Sequence, residues 1–202
     1  SNLLYNKHGE LKVADFGLAR IQNTKKPTSE FPDGPEAGDM TPKVVTLWYR
    51  APELLLGKKN YNGKAVDMWA LGCIFAELIV GKPLMPGKSD HEQLHYIFKT
   101  FGYPTEAQFP GWTQLPNAKI VKDLEKYRKS KLRDLFKDAF HSDSAKEGLD
   151  LLHQLLEYNP AKRISAKDAQ KHPYFSKSPL PANKSSMPTF PSVLNEDAMQ
   201  ID

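Results

Sequence analysis

Apolar residues recur at helical spacing along most of the chain and at strand spacing only near its start. Leu3-Leu4-Tyr5 and Leu11-Lys12-Val13 flank a turn at His8-Gly9, which predicts a small β-hairpin. From Lys64 to Val80, apolar side chains occupy nearly the whole circumference of a helix, which predicts a buried helix. The pattern therefore predicts a mainly α-helical chain that begins with one hairpin.

Further helices follow the buried one. Ser89 and Glu92 form a capping-box pattern at the start of an amphipathic segment, and Gly102 is a natural end for that helix. Leucines at helical spacing predict another helix over 146–158, and Ser165 begins one more short helix. The basic run 119–137, with its scattered leucines, is interpreted as a solvated face.

Two stretches predict no regular structure. Residues 22–42 combine four prolines with acidic side chains and almost no apolar periodicity, which is typical of a long exposed loop. Residues 176–202 are dominated by Pro, Ser, Asn and Lys, which predicts an extended or disordered tail.

The composition excludes several classes of protein. The 202 residues are 40% hydrophobic, and no stretch is apolar enough to predict a signal peptide or a membrane span. Cys73 is the only cysteine, so an internal disulfide framework is excluded and a reducing compartment is expected. A net charge of +4 fits an anionic substrate or partner but is too weak to indicate nucleic-acid binding.

Several linked motifs carry candidate chemistry. Asp15-Phe16-Gly17 is followed by Val45-Thr46-Leu47-Trp48-Tyr49-Arg50, then Ala51-Pro52-Glu53, then Asp67-Met68-Trp69, with Arg163 further on. This order resembles the protein-kinase signature from D-F-G through A-P-E, and Ser1-Asn2-Leu3-Leu4 resembles the end of the kinase catalytic loop. The chain thus resembles the C-terminal lobe of a protein kinase, without the N-lobe. Residues 1–175 would form this partial domain, with an activation segment over 15–53.

The resemblance implies phosphoryl transfer from ATP. Asn2 and Asp15 would supply oxygen ligands for Mg²⁺, a hard cation, because the charge on the ATP phosphates must be neutralised. Leu4, Ala14 and Asp15 would contact the nucleotide. Thr46 would bond the catalytic Asp and help position the substrate hydroxyl.

The resemblance also implies regulation and substrate choice. Thr41 matches the threonine that an activating kinase phosphorylates, and Arg20 matches one of the arginines that bind the resulting phosphate group. Val44, Val45 and Arg50 match the platform that selects Ser/Thr-Pro in protein substrates. Two structural roles follow as well: a buried ion pair between Glu53 and Arg163, and a helix-start Asp67 that holds the catalytic loop.

Within the kinases, the segment 41–50 resembles that of the cyclin-dependent kinases, and the tail resembles that of their PITSLRE-type subgroup. The resemblance implies a cyclin as partner, bound mainly through the missing N-lobe, and an intracellular protein, nuclear in preference to cytoplasmic. No nucleic-acid or membrane partner is expected. The catalytic Asp and the N-lobe Lys are not among the 202 residues, so the chain alone is expected to be inactive. The alternative is a non-catalytic interaction module made of a truncated kinase lobe.

One motif points elsewhere. His91-Glu92-Gln93-Leu94-His95 has the H-E-x-x-H form of zinc metalloproteases, with both imidazoles on one helix face. We favour a capping role for Glu92, because Ser89 stands three residues before it and no third ligand follows in a recognisable motif.

Overall fold

The computed structural model describes residues 2–6, 10–17, 19, 47–137, 139–140, 142–183 and 186. The chain divides into two units, which are described separately. The hairpin unit comprises Ser1–Thr24 with Leu180–Asp202, and the helical unit comprises Lys25–Pro179. The exposed loop predicted over 22–42 lies outside the described residues, as does most of the predicted tail.

The hairpin unit contains two short antiparallel strands, β1 (Leu3–Tyr5) and β2 (Leu11–Val13). Leu3 pairs with Val13 and Tyr5 with Leu11. The turn is closed by Asn6, whose backbone N–H donates to the Glu10 carbonyl (3.1 Å) and whose Oδ1 accepts from the Glu10 N–H (2.9 Å). The predicted hairpin is confirmed.

The helical unit contains six α-helices among its described residues. They are α1 (Pro52–Leu55), α2 (Gly63–Val80), α3 (Asp90–Phe101), α4 (Leu132–Phe136), α5 (Ala145–Leu155) and α6 (Ala166–Ala169). Short 3₁₀ helices precede, separate and follow them, at Leu47–Tyr49, Trp112–Gln114, Ala118–Lys126, Ser142–Ser144 and Pro173–Ser176. The mainly helical fold predicted from the sequence is therefore confirmed.

Local capping chemistry fixes the ends of the longer helices. The Asn62 side chain accepts from the Ala65 N–H at the start of α2, and Gly81 ends that helix in the left-handed conformation (φ 73°). Ser89 accepts from the Glu92 N–H at the start of α3, and Gly102 follows its last residue. The Glu92 carboxylate accepts from the Lys88 N–H (2.9 Å). In a regular capping box it would accept from the N–H of the N-cap residue Ser89, so the donor here is the residue before the N-cap.

An aromatic cluster forms the centre of the core. Trp69 of α2 and Phe98 of α3 are fully buried, and Phe101, Trp112 and Tyr158 pack around them. The ring centroids lie 5.6–6.4 Å apart in the pairs Trp69–Phe101, Phe98–Trp112 and Trp69–Tyr158. The Tyr158 hydroxyl donates to the Gly102 carbonyl (2.7 Å), which satisfies its polar atom inside the core.

The prediction that α2 is buried all round is wrong. One face, which includes Met68, Trp69 and Cys73, is buried, but Leu71 is 46% exposed and Leu78 is 70% exposed. These two leucines are seven residues apart and so share one face. Leu71 lines an open hollow together with Ala166, Ala169 and Phe175, so this face of the helix is only partly covered. No helix in the described part of the chain is both long and apolar enough to cross a membrane.

Part of the basic run 119–137 forms a 3₁₀ helix, which has three residues per turn instead of the 3.6 of an α-helix. Ala118, Val121 and Leu124 are buried, one in every turn of the 3₁₀ helix Ala118–Lys126, and the charged residues between them are exposed. The run is therefore a solvated face with a buried apolar ridge behind it.

Candidate functional site

The hairpin brings two of the predicted site residues to one end of the strand pair. The Ala14 N–H donates to the Asn2 carbonyl (2.9 Å), which extends the pairing one step beyond Leu3 and Val13. Asp15 follows directly, so Asn2 and Asp15 lie at the same end of the ribbon. Leu4 lies on β1 with half of its surface exposed, and Ala14 is half-buried.

Asp15 has an unusual backbone conformation. Its φ is 62°, in the left-handed region that few residues other than Gly, Asn and Asp adopt. The Asp15 Oδ1 accepts from the Gly17 N–H (3.1 Å), which forms a local turn that stabilises this conformation. The carboxylate of Asp15 is exposed and keeps its other oxygen for a ligand.

The donor set at this end suits Mg²⁺ bound together with phosphate. Asn2 and Asp15 both offer oxygen, the ligand that Mg²⁺ prefers. No group of three or more His, Cys, Asp or Glu side chains that could hold a metal occurs among the described residues. Because Mg²⁺ usually takes one or two protein ligands and completes its shell with water and substrate phosphates, the two residues fit this ion.

In the helical unit, Glu53 of α1 and Arg163 form a fully buried ion pair. Arg163 Nη1 lies 2.9 Å from Glu53 Oε1, and Nη2 lies 3.2 Å from Oε2, so the guanidinium binds the carboxylate with both ends of its fork. Both side chains have no exposed surface. The structure therefore contains the Glu53–Arg163 ion pair that the resemblance to kinases implied.

Arg163 also satisfies backbone carbonyls around this pair. Its Nε donates to the Glu157 carbonyl (2.9 Å) and its Nη1 to the Ala65 carbonyl (2.6 Å). The guanidinium carbon lies 5.1 Å from the centre of the Trp69 ring, within cation–π range. A single side chain therefore connects α1, α2 and the residues that follow α5.

Three consecutive residues before α1 are each held by a different partner. The Trp48 indole N–H donates to the Gly87 carbonyl (3.1 Å), and the Tyr49 hydroxyl donates to Glu77 (2.7 Å). Burial, and then the Glu77 carboxylate, raise the pKa of Tyr49 to about 12. Arg50 Nη1 lies 3.4 Å from Asp90 Oδ1 at the start of α3. The described end of the predicted substrate platform is thereby fixed.

Asp67 lies in the second turn of α2 with its side chain exposed. No hydrogen bond or ion pair of its carboxylate is found within the described ranges. Partial burial raises the pKa of Asp67 above its ordinary value, because desolvation disfavours the charged form. The remaining predicted site residues lie outside the described residues: Arg20, Thr41, Val44, Val45 and Thr46.

The two histidines of the H-E-x-x-H motif have separate partners. His91 Nε2 lies 3.2 Å from Asp123 Oδ1, whereas His95 Nε2 lies 3.2 Å from the Tyr127 hydroxyl. Glu92 is engaged at the helix start by the Lys88 N–H. The motif therefore joins α3 to the 3₁₀ helix Ala118–Lys126 and the residue after it.

Half-burial against Tyr127 makes His95 a source of pH-dependent stability. Burial, followed by the nearby charges of Lys99, Lys126 and His91, lowers the pKa of His95, while Asp123 acts weakly in the opposite direction. The unfolded chain then takes up a proton near pH 6.5, before the folded one does. His95 therefore contributes stability that is present above about pH 6.5 and is lost as the pH falls through its lower folded pKa.

We expect the free energy of unfolding of the wild-type chain to fall more steeply below pH 6.5 than that of His95→Gln. Urea denaturation of both proteins at several pH values between 5 and 8, followed by tryptophan fluorescence, measures the difference. Equal slopes for the two proteins would contradict the assignment.

The family follows from comparison with known proteins. Residues 1–175 match the protein kinase domain, and the chain belongs to this family. It is 50% identical over 192 residues to the serine/threonine-protein kinase ppk23 of Schizosaccharomyces pombe, a match that covers 95% of this chain and 44% of that protein.

Two other relatives carry cyclin-dependent kinase names. Cyclin-dependent kinase 11B of Mus musculus is 48% identical over 192 residues, covering 95% of this chain and 22% of that protein. Cyclin-dependent kinase G-1 of Oryza sativa is 46% identical over 201 residues, covering 98% and 27%. The resemblance to cyclin-dependent kinases is thus confirmed. The chain spans less than half the length of each of these three relatives.

One buried polar residue beside the predicted substrate platform was not predicted from the sequence. Gln93 is fully buried in α3, where its side chain bonds to both Gly87 and Trp48. A glutamine inside an amphipathic helix is ordinarily assigned to the solvent face. The only signal available was its place directly before Leu94, on the border of the apolar stripe.

Proposed function

We propose that the full-length protein is a serine/threonine kinase of the cyclin-dependent type that transfers the γ-phosphate of ATP to Ser or Thr followed by Pro. The observation that carries this proposal is the hairpin geometry, which brings Asn2 and Asp15 to one end of the strand pair in a chain of the kinase family. The names of the relatives support the cyclin-dependent type.

In this proposal, Asn2 and Asp15 hold Mg²⁺ through their side-chain oxygens, and Leu4 and Ala14 contact the nucleotide. The bound Mg²⁺ supplies charge neutralisation on the phosphates. Asp15 keeps its carboxylate oriented through the turn to Gly17, so little reorganisation is needed when the ion binds. Thr46 bonds the catalytic Asp, and Asp67 accepts hydrogen bonds from the catalytic-loop backbone.

Regulation and substrate choice complete the proposal. An activating kinase phosphorylates Thr41, and Arg20 contributes to the clamp on that phosphate. Val44, Val45 and Arg50 form the platform for proline-directed substrates. A cyclin is the regulatory partner, and the protein acts in the nucleus.

The 202 residues themselves contain no His-Arg-Asp catalytic motif and no glycine-rich G-x-G-x-x-G motif. We therefore propose that these residues alone do not transfer phosphate. A non-catalytic interaction module is the second candidate, and this sequence observation is what favours it.

The test compares two proteins, the full-length protein with its cyclin and the 202-residue chain alone. Each is incubated with Mg²⁺ and γ-labelled ATP, with a Ser-Pro peptide as substrate and a Ser-Ala peptide as control. We expect the full-length protein to label the Ser-Pro peptide preferentially and the short chain to label neither. If the full-length protein, with Thr41 phosphorylated and cyclin bound, transferred no phosphate to either peptide, the kinase proposal would be wrong and the interaction module would be favoured.

A further inference from the structure

Three residues form a closed ring of hydrogen bonds beside the 3₁₀ helix Leu47–Tyr49. The Trp48 indole Nε1 donates to the Gly87 carbonyl (3.1 Å), and the Gly87 N–H donates to Gln93 Oε1 (2.9 Å). The Gln93 Nε2 then donates to the Trp48 carbonyl (3.1 Å). Within the ring each residue gives one hydrogen bond and receives one, and the Gly87 N–H is also shared with the Met85 carbonyl (3.1 Å).

The chemistry of the partners fixes the orientation of the Gln93 amide. The Gly87 backbone N–H can only donate and the Trp48 carbonyl can only accept, so Oε1 must face Gly87 and Nε2 must face Trp48. No other side chain of similar size carries an acceptor and a donor side by side. Glutamate lacks the donor, and leucine lacks both groups.

The ring is enclosed at Gln93 and Gly87, whereas its third member, Trp48, is 36% exposed. Gln93 has no exposed surface, and Gly87 is buried. A Cβ atom at Gly87 would lie 2.5 Å from Gln93 Oε1 and 2.7 Å from the Gln93 backbone nitrogen, so only glycine permits this approach. Loss of the amide would remove the donor to the Trp48 carbonyl and would leave the buried Gly87 N–H with only its longer bond to the Met85 carbonyl (3.1 Å).

The ring is continuous with Arg50. Trp48 stands two residues before Arg50, and Arg50 contacts Asp90 in the same first turn of α3 that carries Gln93. Gln93 and Asp90 therefore hold the two ends of the short segment Trp48–Arg50 from one helix. A shift of Trp48 would also move Arg50.

We propose that Gln93 is a positioning residue for the binding of the protein substrate. It acts through Trp48, whose carbonyl and indole it fixes with Gly87, and so sets the position of Arg50 on the substrate platform. This inference rests on the proposed kinase function. The side-chain partners of Gln93 are Gly87 and Trp48, neither of which is assigned to the nucleotide or the metal, so the effect is expected on the peptide.

The test uses the full-length, phosphorylated, cyclin-bound protein and the variant Gln93→Leu. Because leucine removes both hydrogen bonds by which Gln93 holds Trp48 and Gly87, we expect the KM for a Ser-Pro peptide to rise about tenfold. The KM for ATP is expected to stay unchanged. Gln154→Leu is the matched control, because it removes a half-buried amide that bonds to Asp150 and His172 instead, and it should leave both constants unchanged.

A second variant, Trp48→Phe, keeps an aromatic ring but removes the indole donor to the Gly87 carbonyl. It should also raise the KM for the Ser-Pro peptide. This variant replaces Gln93→Leu in the KM measurements if circular dichroism shows that Gln93→Leu does not fold. Equal changes in the KM for peptide and for ATP, or no change in either, would overturn the positioning role. A wild-type protein that transfers no phosphate would instead overturn the proposed function, which is a distinct outcome.

Discussion

Replacing Arg163 with alanine is expected to lower the free energy of unfolding of the helical unit by about 3–5 kcal/mol, the range measured when one partner of a buried ion pair is removed. Glu53 would be left as a buried carboxylate with no counter-charge, since neither side chain of the pair is exposed. The carbonyls of Ala65 and Glu157 would also lose a donor. Guanidinium denaturation followed by tryptophan fluorescence measures the loss, and Trp69 beneath the guanidinium is a suitable reporter.

Two further variants sharpen this experiment. Arg163→Lys keeps the charge but loses the planar fork, so an intermediate loss is expected and the protein can be studied if the alanine variant does not fold. Arg133→Ala removes an exposed arginine of α4 and should change stability by less than about 0.5 kcal/mol. A loss below about 1 kcal/mol for Arg163→Ala would mean that the pair contributes no more than an exposed one.

Replacing Asp15 with asparagine is expected to reduce phosphate transfer by the full-length protein about 100-fold or more, the scale on which one group that stabilises transition-state charge acts. Asparagine keeps the size of the side chain and an oxygen that can accept from the Gly17 N–H, so the turn is retained. What is lost is the negative charge that is proposed to bind Mg²⁺. Activity assays at increasing Mg²⁺ concentration measure the effect.

Asp134→Asn is the control for this experiment, since Asp134 is an exposed carboxylate of α4 outside the proposed site. It should retain wild-type activity at every Mg²⁺ concentration. Asp15→Asn with unchanged activity and an unchanged Mg²⁺ requirement would remove Asp15 from the metal site. Partial recovery at high Mg²⁺ would agree with a weakened site.

Local chemistry explains which elements could be predicted. The ends of α2 and α3 are determined by residues within one turn of them, such as Ser89 and Gly102, and a sequence displays these directly. The hairpin is similarly local. Burial of α2 was mispredicted because periodicity reports which residues are apolar but not how many neighbours surround the helix, and Leu71 and Leu78 remain exposed.

Long-range pairs could not be found from spacing. Glu53 and Arg163 are 110 residues apart, and only the resemblance to kinases paired them. The position of Asn2 near Asp15 was likewise implied by resemblance, and the antiparallel register then accounts for it. Gln93 illustrates the opposite case, because no local rule predicts that a polar side chain will find both its partners in the interior.

The three-residue period of the helix Ala118–Lys126 limits how its length can vary. Each residue turns a 3₁₀ helix by about 120°, so removing three residues takes out one complete turn and leaves the remaining apolar ridge facing the core. Removing a single residue would instead rotate charged residues into buried positions, for example Lys122 into the place of Val121 or Glu125 into the place of Leu124. Homologues that shorten or lengthen this element should therefore do so in steps of three residues.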